Sequence, residues 1–223
     1  MDPLTSLEQK SIYILREAHY QFKNRSALLW SIGKDSTTML WLARKAFFGK
    51  LPFPVLHIDT SYKFKEIYAF REKYAKIWGL NLIIARNNAA LQSGMCSAKG
   101  KFTCCNALKT EALKMALQAH DFKALYLAIR RDEHGIRAKE RVFSPRTEAF
   151  TWNYADQPPE LWDQFKAKTE TQEHIRVHPL LDWTEKDIWD YIRREKIPVC
   201  SLYFAHQGER YRSIGCEPCC DPV

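Results

Sequence analysis

Ser31-Ile32-Gly33-Lys34-Asp35-Ser36 sets a glycine, a lysine and two serine hydroxyls between an apolar run and a helix-forming segment. Gly33 lets the backbone come close to a ligand, and the amides that open a helix point at any anion held there. Lys34 adds a mobile positive charge, and the hydroxyls of Ser31 and Ser36 can donate to phosphate oxygens. Asp35 would repel a bare phosphate, so its place in the loop is explained by a Mg²⁺ ion bridging the phosphates. The pattern is not a Walker A loop, since position 28 is not glycine and Asp35 replaces the Ser or Thr that follows the lysine. A solvated lysine in an ordinary turn is the competing reading. Against it stands His57-Ile58-Asp59-Thr60, which ends the next apolar run where the adenosine part of a nucleotide would lie.

Two further groupings carry chemistry. Residues 130 to 146 hold Arg130, Arg131, Arg137, Lys139, Arg141 and Arg146 against Asp132, Glu133 and Glu140. Guanidinium forks suit tetrahedral oxyanions, whereas a solvated, salt-bridged surface is the ordinary fate of a mixed charge run. Arg130 and Arg131 follow an apolar strand directly, which favours a role for them. The chain also has 7 cysteines, an odd and high number for a sequence that opens without a signal peptide. Cys104 and Cys105 are adjacent, Cys216, Cys219 and Cys220 crowd together near the C-terminus, and Cys96 and Cys200 stand alone. Such usage points to metal or sulfur chemistry more than to disulfides, with Cys96 and Cys200 structural.

The elements that must position these groups read as an α/β fold. A helix over about residues 7–24, with a capping box at Thr5-Ser6-Leu7-Glu8, precedes a buried strand at Ala27–Trp30. A helix over Thr37–Phe48, a strand at Val55–Ile58, a helix over Lys63–Trp78 and a strand at Leu80–Ile84 follow. A helix over Leu108–Ala119 and a strand at Leu125–Ile129 complete the alternation. This alternation predicts a parallel twisted sheet with helices on both faces. Ligands of such sheets bind beyond the carboxyl ends of the strands, where the loops above begin. The segment from Asp156 to Glu173 reads as a surface excursion or lid, and Thr184–Asp187 opens a last helix. Three parts are expected: an N-terminal helix (1–24), a nucleotide-binding domain (25–182) and a C-terminal helix with a cysteine-containing tail packed on it (183–223). With 223 residues, 46% hydrophobic content and a net charge of +8, the chain suits anionic partners. The sequence shows no membrane span, which implies a cytoplasmic protein.

Ser31–Ser36 resembles the SGGKDS-type PP-loop of the ATP pyrophosphatases, with Ile32 in place of the first family glycine. Within that superfamily, LLWSIGKDST, LARKAFFGKLPFPVLHIDTSYKF, RRDEHGIRAKERVFSPR and IRVHPLLDWTEKDIWDYI are similar to the small catalytic subunit of bacterial ATP sulfurylase. The likeness implies an adenine-nucleotide α-hydrolase-like fold and ATP with Mg²⁺ as ligands. Under it Lys34, Asp35, Arg130 and Arg131 are catalytic, and Ser31, Gly33, Ser36, Thr37, Ile58, Asp59, Thr60 and Arg137 bind the nucleotide.

The cysteines depart from that subunit. Cys104-Cys105 with Cys216-Glu217-Pro218-Cys219 resembles the adenylylsulfate reductases, where such a pair and such a C-x-x-C hold a [4Fe–4S] cluster. A Zn²⁺ site on the same four cysteines and simple core thiols are the alternatives, and Cys220 is either a bystander or a substitute for Cys219. Val223 follows soon after Cys220, so the reductase-type cysteine tail is not expected, and neither is the longer C-terminal part linked to a GTPase partner. The expected activity is adenylylation of an oxyanion so that sulfur can replace oxygen, with the DNA backbone as acceptor in phosphorothioate modification. A cysteine desulfurase would then be the sulfur source, and a homodimer is a further expectation. Sulfate adenylylation, and a non-catalytic scaffold for a desulfurase, are the alternative readings.

Overall fold

The computed structural model describes residues 2–147, 149–155, 157, 159–165 and 172–223. Six strands form one sheet in the order β3-β2-β1-β4-β6-β5. They are β1 (Ser26–Leu29), β2 (Val55–Ile58), β3 (Leu82–Ala85), β4 (Ala124–Tyr126), β5 (Phe143–Thr147) and β6 (Gln172–Val177). All neighbours run parallel except β5, which lies antiparallel to β6 at one edge. The parallel sheet expected from the alternation is present, with this one antiparallel strand added.

The apolar runs exist because the central strands are covered on both faces. Leu28, Val55, Tyr126, Ile175 and Val177 point into the larger core, which α1 (Pro3–Phe22), α2 (Lys34–Ala46), α3 (Lys65–Ile77) and α7 (Glu185–Glu195) help to build. Ala27, Leu56 and Leu125 alternate to the opposite face and meet Ala116, Leu117 and Phe122. Helix α6 (Glu111–His120) supplies that second layer. Trp183 shows how the larger core handles polar atoms: its indole N–H donates to Ser11 Oγ at 2.9 Å, and that hydroxyl donates to the Pro179 carbonyl at 2.8 Å.

Several boundaries differ from the sequence reading, each for a physical reason. Helix α1 is capped by Asp2, whose carboxylate accepts from the Thr5 amide, with Pro3 at the first helical position; the expected Thr5 capping box is not used. Helix α2 opens at Lys34, not Thr37, so the phosphate loop runs straight into the first helical turn. Cys104 and Cys105 sit on a short helix, α5 (Lys101–Cys105), which continues through a π-helical turn at Asn106–Thr110 into α6. Strands β5 and β6 went unread because Pro145 and the charges of both segments hide their alternation. The expected capping box of α7 is present, formed by Thr184 and Asp187. The excursion expected at residues 156–173 lies largely outside the described residues. Among the described residues, no helix is long and apolar enough to cross a membrane.

Three histidines are buried within this frame. Burial lowers the pKa from 6.5 to about 4 at His57 and to about 3 at His174 and His178. Each is neutral in the native protein and takes up a proton on unfolding below pH 6.5, so stability is full above that pH and falls beneath it. The slope is roughly 1.4 kcal/mol per pH unit for each group. Urea midpoints are expected to drop steeply between pH 7 and pH 5; an unchanged midpoint would contradict the neutral, buried placement.

Candidate functional site

The strand order reverses between β1 and β4, so the loops that follow these two strands part and leave a crevice. The loop after β1 is Ser31–Gly33, and the first turn of α2 carries Lys34, Asp35 and Ser36. Ile32 adopts φ +68° with its side chain 1% exposed. The left-handed backbone costs about 1–2 kcal/mol for a branched residue, while burying an isoleucine side chain returns about 1.5–3 kcal/mol. Burial wins, which is how isoleucine holds a glycine-type position.

Gly33 needs its missing side chain. A Cβ there would lie 3.3 Å from Ser31 Oγ and 3.4 Å from Tyr203 Oη. The Tyr203 hydroxyl accepts from the Lys34 amide at 2.9 Å, capping α2 from the far end of the chain. Ser31 and Ser36 share a hydroxyl contact of 3.0 Å, and Ser36 also donates to the Gly33 carbonyl at 3.1 Å. The Thr37 hydroxyl accepts from the Trp30 indole, so Thr37 braces the loop and does not face a ligand.

Charges knit this loop to the rest of the crevice. Lys34 Nζ lies 3.4 Å from both Asp35 and Glu185, and 3.4 Å from the Arg212 carbonyl. Glu185 also pairs with Arg212 at 2.8 Å, which lowers its pKa. Asp35 accepts from Arg130, which follows β4 across the crevice. Arg130 is buried and also meets Asp132 at 2.9 Å and Glu133 at 3.8 Å. Arg131 pairs with Asp182 at 3.1 Å and donates to the Ala138 and Glu140 carbonyls. Arg137 pairs with Glu133, and Arg146 with Glu140 at 2.6 Å. Arg130, Arg131, Arg137 and Arg146 of the segment expected to receive an anion are thus each paired with a carboxylate. Asp35, expected to help hold Mg²⁺, is likewise engaged, with Arg130 and Lys34.

Asp59 corrects a second expectation. Its carboxylate is fully buried and accepts from the Ser61 amide at 2.8 Å, Tyr68 at 2.9 Å, Arg71 at 3.3 Å and Arg86 at 2.5 Å. Burial works against its ionisation, but Arg86 and these hydrogen bonds outweigh it and hold the pKa at about 2. Asp59 therefore organises the end of β2 and leaves no oxygen for a nucleotide. Thr60 is also buried, its hydroxyl 3.2 Å from Cys216 Sγ.

Beside the loop lies a cavity of about 340 Å³. Leu29, Trp30, Ile58, Leu113, Phe150 and Ile214 form its apolar walls, and Ser31 opens it toward the phosphate loop. Its charged lining is Lys63, Lys109 and Arg176. The π-helical turn between α5 and α6 brings Lys109 and Thr110 to the cavity. Ile58, expected at the nucleotide, lines this cavity.

Cys104, Cys105, Cys216 and Cys219 approach one another near this cavity. Burial raises the Cys104 pKa, and the charges of the other three and of Cys96 raise it further. Cys220 accepts from the Gly215 amide at 3.0 Å, and Cys200 is buried in the core. As placed, the thiols do not form a ligand set: among the described residues no group of three His, Cys, Asp or Glu side chains could hold a metal ion.

Residues 25–222 match the model of the phosphoadenosine phosphosulfate reductase domain. The chain belongs to that family and is a PP-loop enzyme. Sulfate adenylyltransferase subunit 2 of Myxococcus xanthus is 50% identical over 206 residues, covering 91% of this chain and 67% of that protein. The same subunit of Bacteroides fragilis is 47% identical, covering 92% of this chain and 68% of that protein. The chain thus spans about two thirds of the length of these relatives. Among solved structures, phosphoadenylyl-sulfate reductase from Candida auris superimposes with a TM-score of 0.67 at 17% identity, covering 100% of this chain and 98% of that one. FMN adenylyltransferase from Candida glabrata in complex with ATP gives 0.67 at 18% identity, covering 96% of this chain and 61% of that one. Both likenesses concern the fold.

In this reductase-domain protein, sequence reasoning missed Tyr203, Glu185, Arg212, Lys63, Lys109 and Arg176. Lys63 could have been noticed, since it follows the Asp59-Thr60 pair closely; Tyr203 carries no local signal, because its partner is remote in the chain. Asp59→Asn is expected to cost about 1–3 kcal/mol, because it removes the buried carboxylate that Ser61, Tyr68, Arg71 and Arg86 share. The variant should also lose the fall in stability that wild type shows between about pH 4 and pH 2, where protonation of Asp59 ends its benefit. Equal unfolding curves for the two proteins would refute the hub.

Proposed function

We propose that this chain transfers the adenylyl group of ATP to sulfate, forming adenylylsulfate and pyrophosphate. The observation that carries the proposal is the likeness, near half identity across almost the whole chain, to subunits of sulfate adenylyltransferase. The geometry supports it. The first turn of α2, Lys34 and the two serine hydroxyls offer a cation and donors to a triphosphate. Charge that builds on the departing pyrophosphate would be met by these preorganised donors. Those relatives are named as one subunit of a larger enzyme, so we infer that this chain also works with another subunit.

The DNA-directed reading rested on the cysteines and the positive charge. The relatives favour sulfate over it, and nothing in the comparisons supports a desulfurase partner. With sulfate as the sole acceptor, ATP is expected to yield pyrophosphate, and Lys34→Ala should slow that release by roughly 10²-fold or more. A coupled pyrophosphate assay decides: release that needs DNA and a desulfurase, and ignores sulfate, would restore the first reading.

The [4Fe–4S] cluster on Cys104, Cys105, Cys216 and Cys219 is part of the proposal only through their approach to one end of the cavity. It requires the thiols to turn toward one another. Protein purified without oxygen is then expected to be brown, with broad absorption near about 400 nm from thiolate-to-iron charge transfer. Colourless protein with four titratable thiols at these positions, or with stoichiometric zinc, would remove the cluster.

A further inference from the structure

Three cations of the cavity are left over once the ion pairs of the crevice are assigned. Lys63, Lys109 and Arg176 are half-buried and converge on one space. None of them has an ion-pair partner among the described residues. The negative charges that reach Lys63 are those of Cys216, Asp59 and Cys220, those at Lys109 come from the thiols of Cys216, Cys105 and Cys219, and Glu140 reaches Arg176; both carboxylates are committed elsewhere. Asp59 serves Arg71 and Arg86, and Glu140 serves Arg146. Arg176 Nε is buried and has no hydrogen-bond partner. Burial lowers the pKa of both Lys63 and Arg176, and Lys109 adds repulsion at Lys63. Placing like charges together in an apolar cavity is costly, and the cost falls when an anion enters.

We propose that Lys63, Lys109 and Arg176 form the subsite for the acceptor, a tetrahedral doubly charged oxyanion, beside the phosphate loop. The inference rests on the reading of the chain as a sulfate-adenylylating subunit. It moves the acceptor away from Arg130, Arg131 and Arg137, whose charges are spent within the fold. Ser31 lines the same cavity, so an oxyanion held by the three cations lies next to the α-phosphate of a nucleotide bound at the loop. A sulfate oxygen attacks the α-phosphorus. A new P–O bond joins sulfate to the adenylyl group, the bond from Pα to the bridging oxygen breaks, and its electron pair leaves on pyrophosphate. Sulfate carries no proton at neutral pH, so the step needs no general base. Cations that place the acceptor and screen its repulsion from the triphosphate are sufficient, and among the described residues the cavity lining contains cations and no carboxylate.

The test uses the full chain saturated with α,β-methylene ATP, into which sulfate is titrated while heat is recorded, with selenate as a second tetrahedral dianion. Lys63→Met and Arg176→Met are each expected to weaken sulfate and selenate binding by about 10-fold or more, a loss of roughly 1.4 kcal/mol. Affinity for the ATP analogue should stay within about twofold, and Arg176→Lys should recover most of the sulfate affinity. In turnover, the KM for sulfate should rise while the KM for ATP does not, a split that a general packing defect would not give. Equal loss of analogue and sulfate binding would show that the cations serve the nucleotide, and unchanged sulfate affinity would show that they serve neither; both overturn the subsite. Wild-type protein that binds sulfate in this cation-dependent way without making pyrophosphate would sink the activity and leave the subsite standing.

Discussion

Asp35 and Arg130 meet across the seam where the sheet changes direction, and the geometry of the crevice depends on that ion pair. One partner belongs to the helix after β1, the other to the segment after β4. From Arg130 the charges alternate outward. Asp132 accepts from Arg130 and from the amide of Glu185 at the start of α7; Glu185 in turn meets Lys34 and Arg212. Four stretches of chain, distant in sequence, are thereby set in register around one lysine. Little water reaches Lys34 or Arg130, so these attractions are stronger than their surface counterparts.

Whether a carboxylate is already present separates the arginines of the 130–146 segment from the cations of the cavity. Arg130, Arg131, Arg137 and Arg146 have one and hold the fold together. Among the described residues, the cavity lining that Lys63, Lys109 and Arg176 share has none. A cluster of positive charge in a sequence therefore says little about where an anion binds until the acids are placed around it.

What could be read beforehand follows the same division between local and remote causes. The apolar runs of β1 and β2, the loop at Ser31–Ser36 and the capping of α7 by Thr184 are local, and the structure has them. Helix α2 starting at Lys34 was less visible, because its cap comes from Tyr203 and not from a neighbouring residue. Strands β5 and β6 set polar and charged positions opposite each other, as Ser144 with Arg176 and Arg146 with His174, so their alternation is disguised. Asp59 was expected at a ligand because it ends a strand in a suggestive motif. Four donors from three later segments of the chain claim it instead, and no spacing rule announces them.

The contact between Tyr203 and the Lys34 amide has a consequence for how the molecule comes into being. The loop emerges early from the ribosome, yet the hydroxyl that completes its helix arrives 169 residues later. A nascent chain holding only the first half of the sheet would present the loop with an open, fraying helix start. The start of α2 is thus completed only after the segment around Tyr203 has folded back onto the loop.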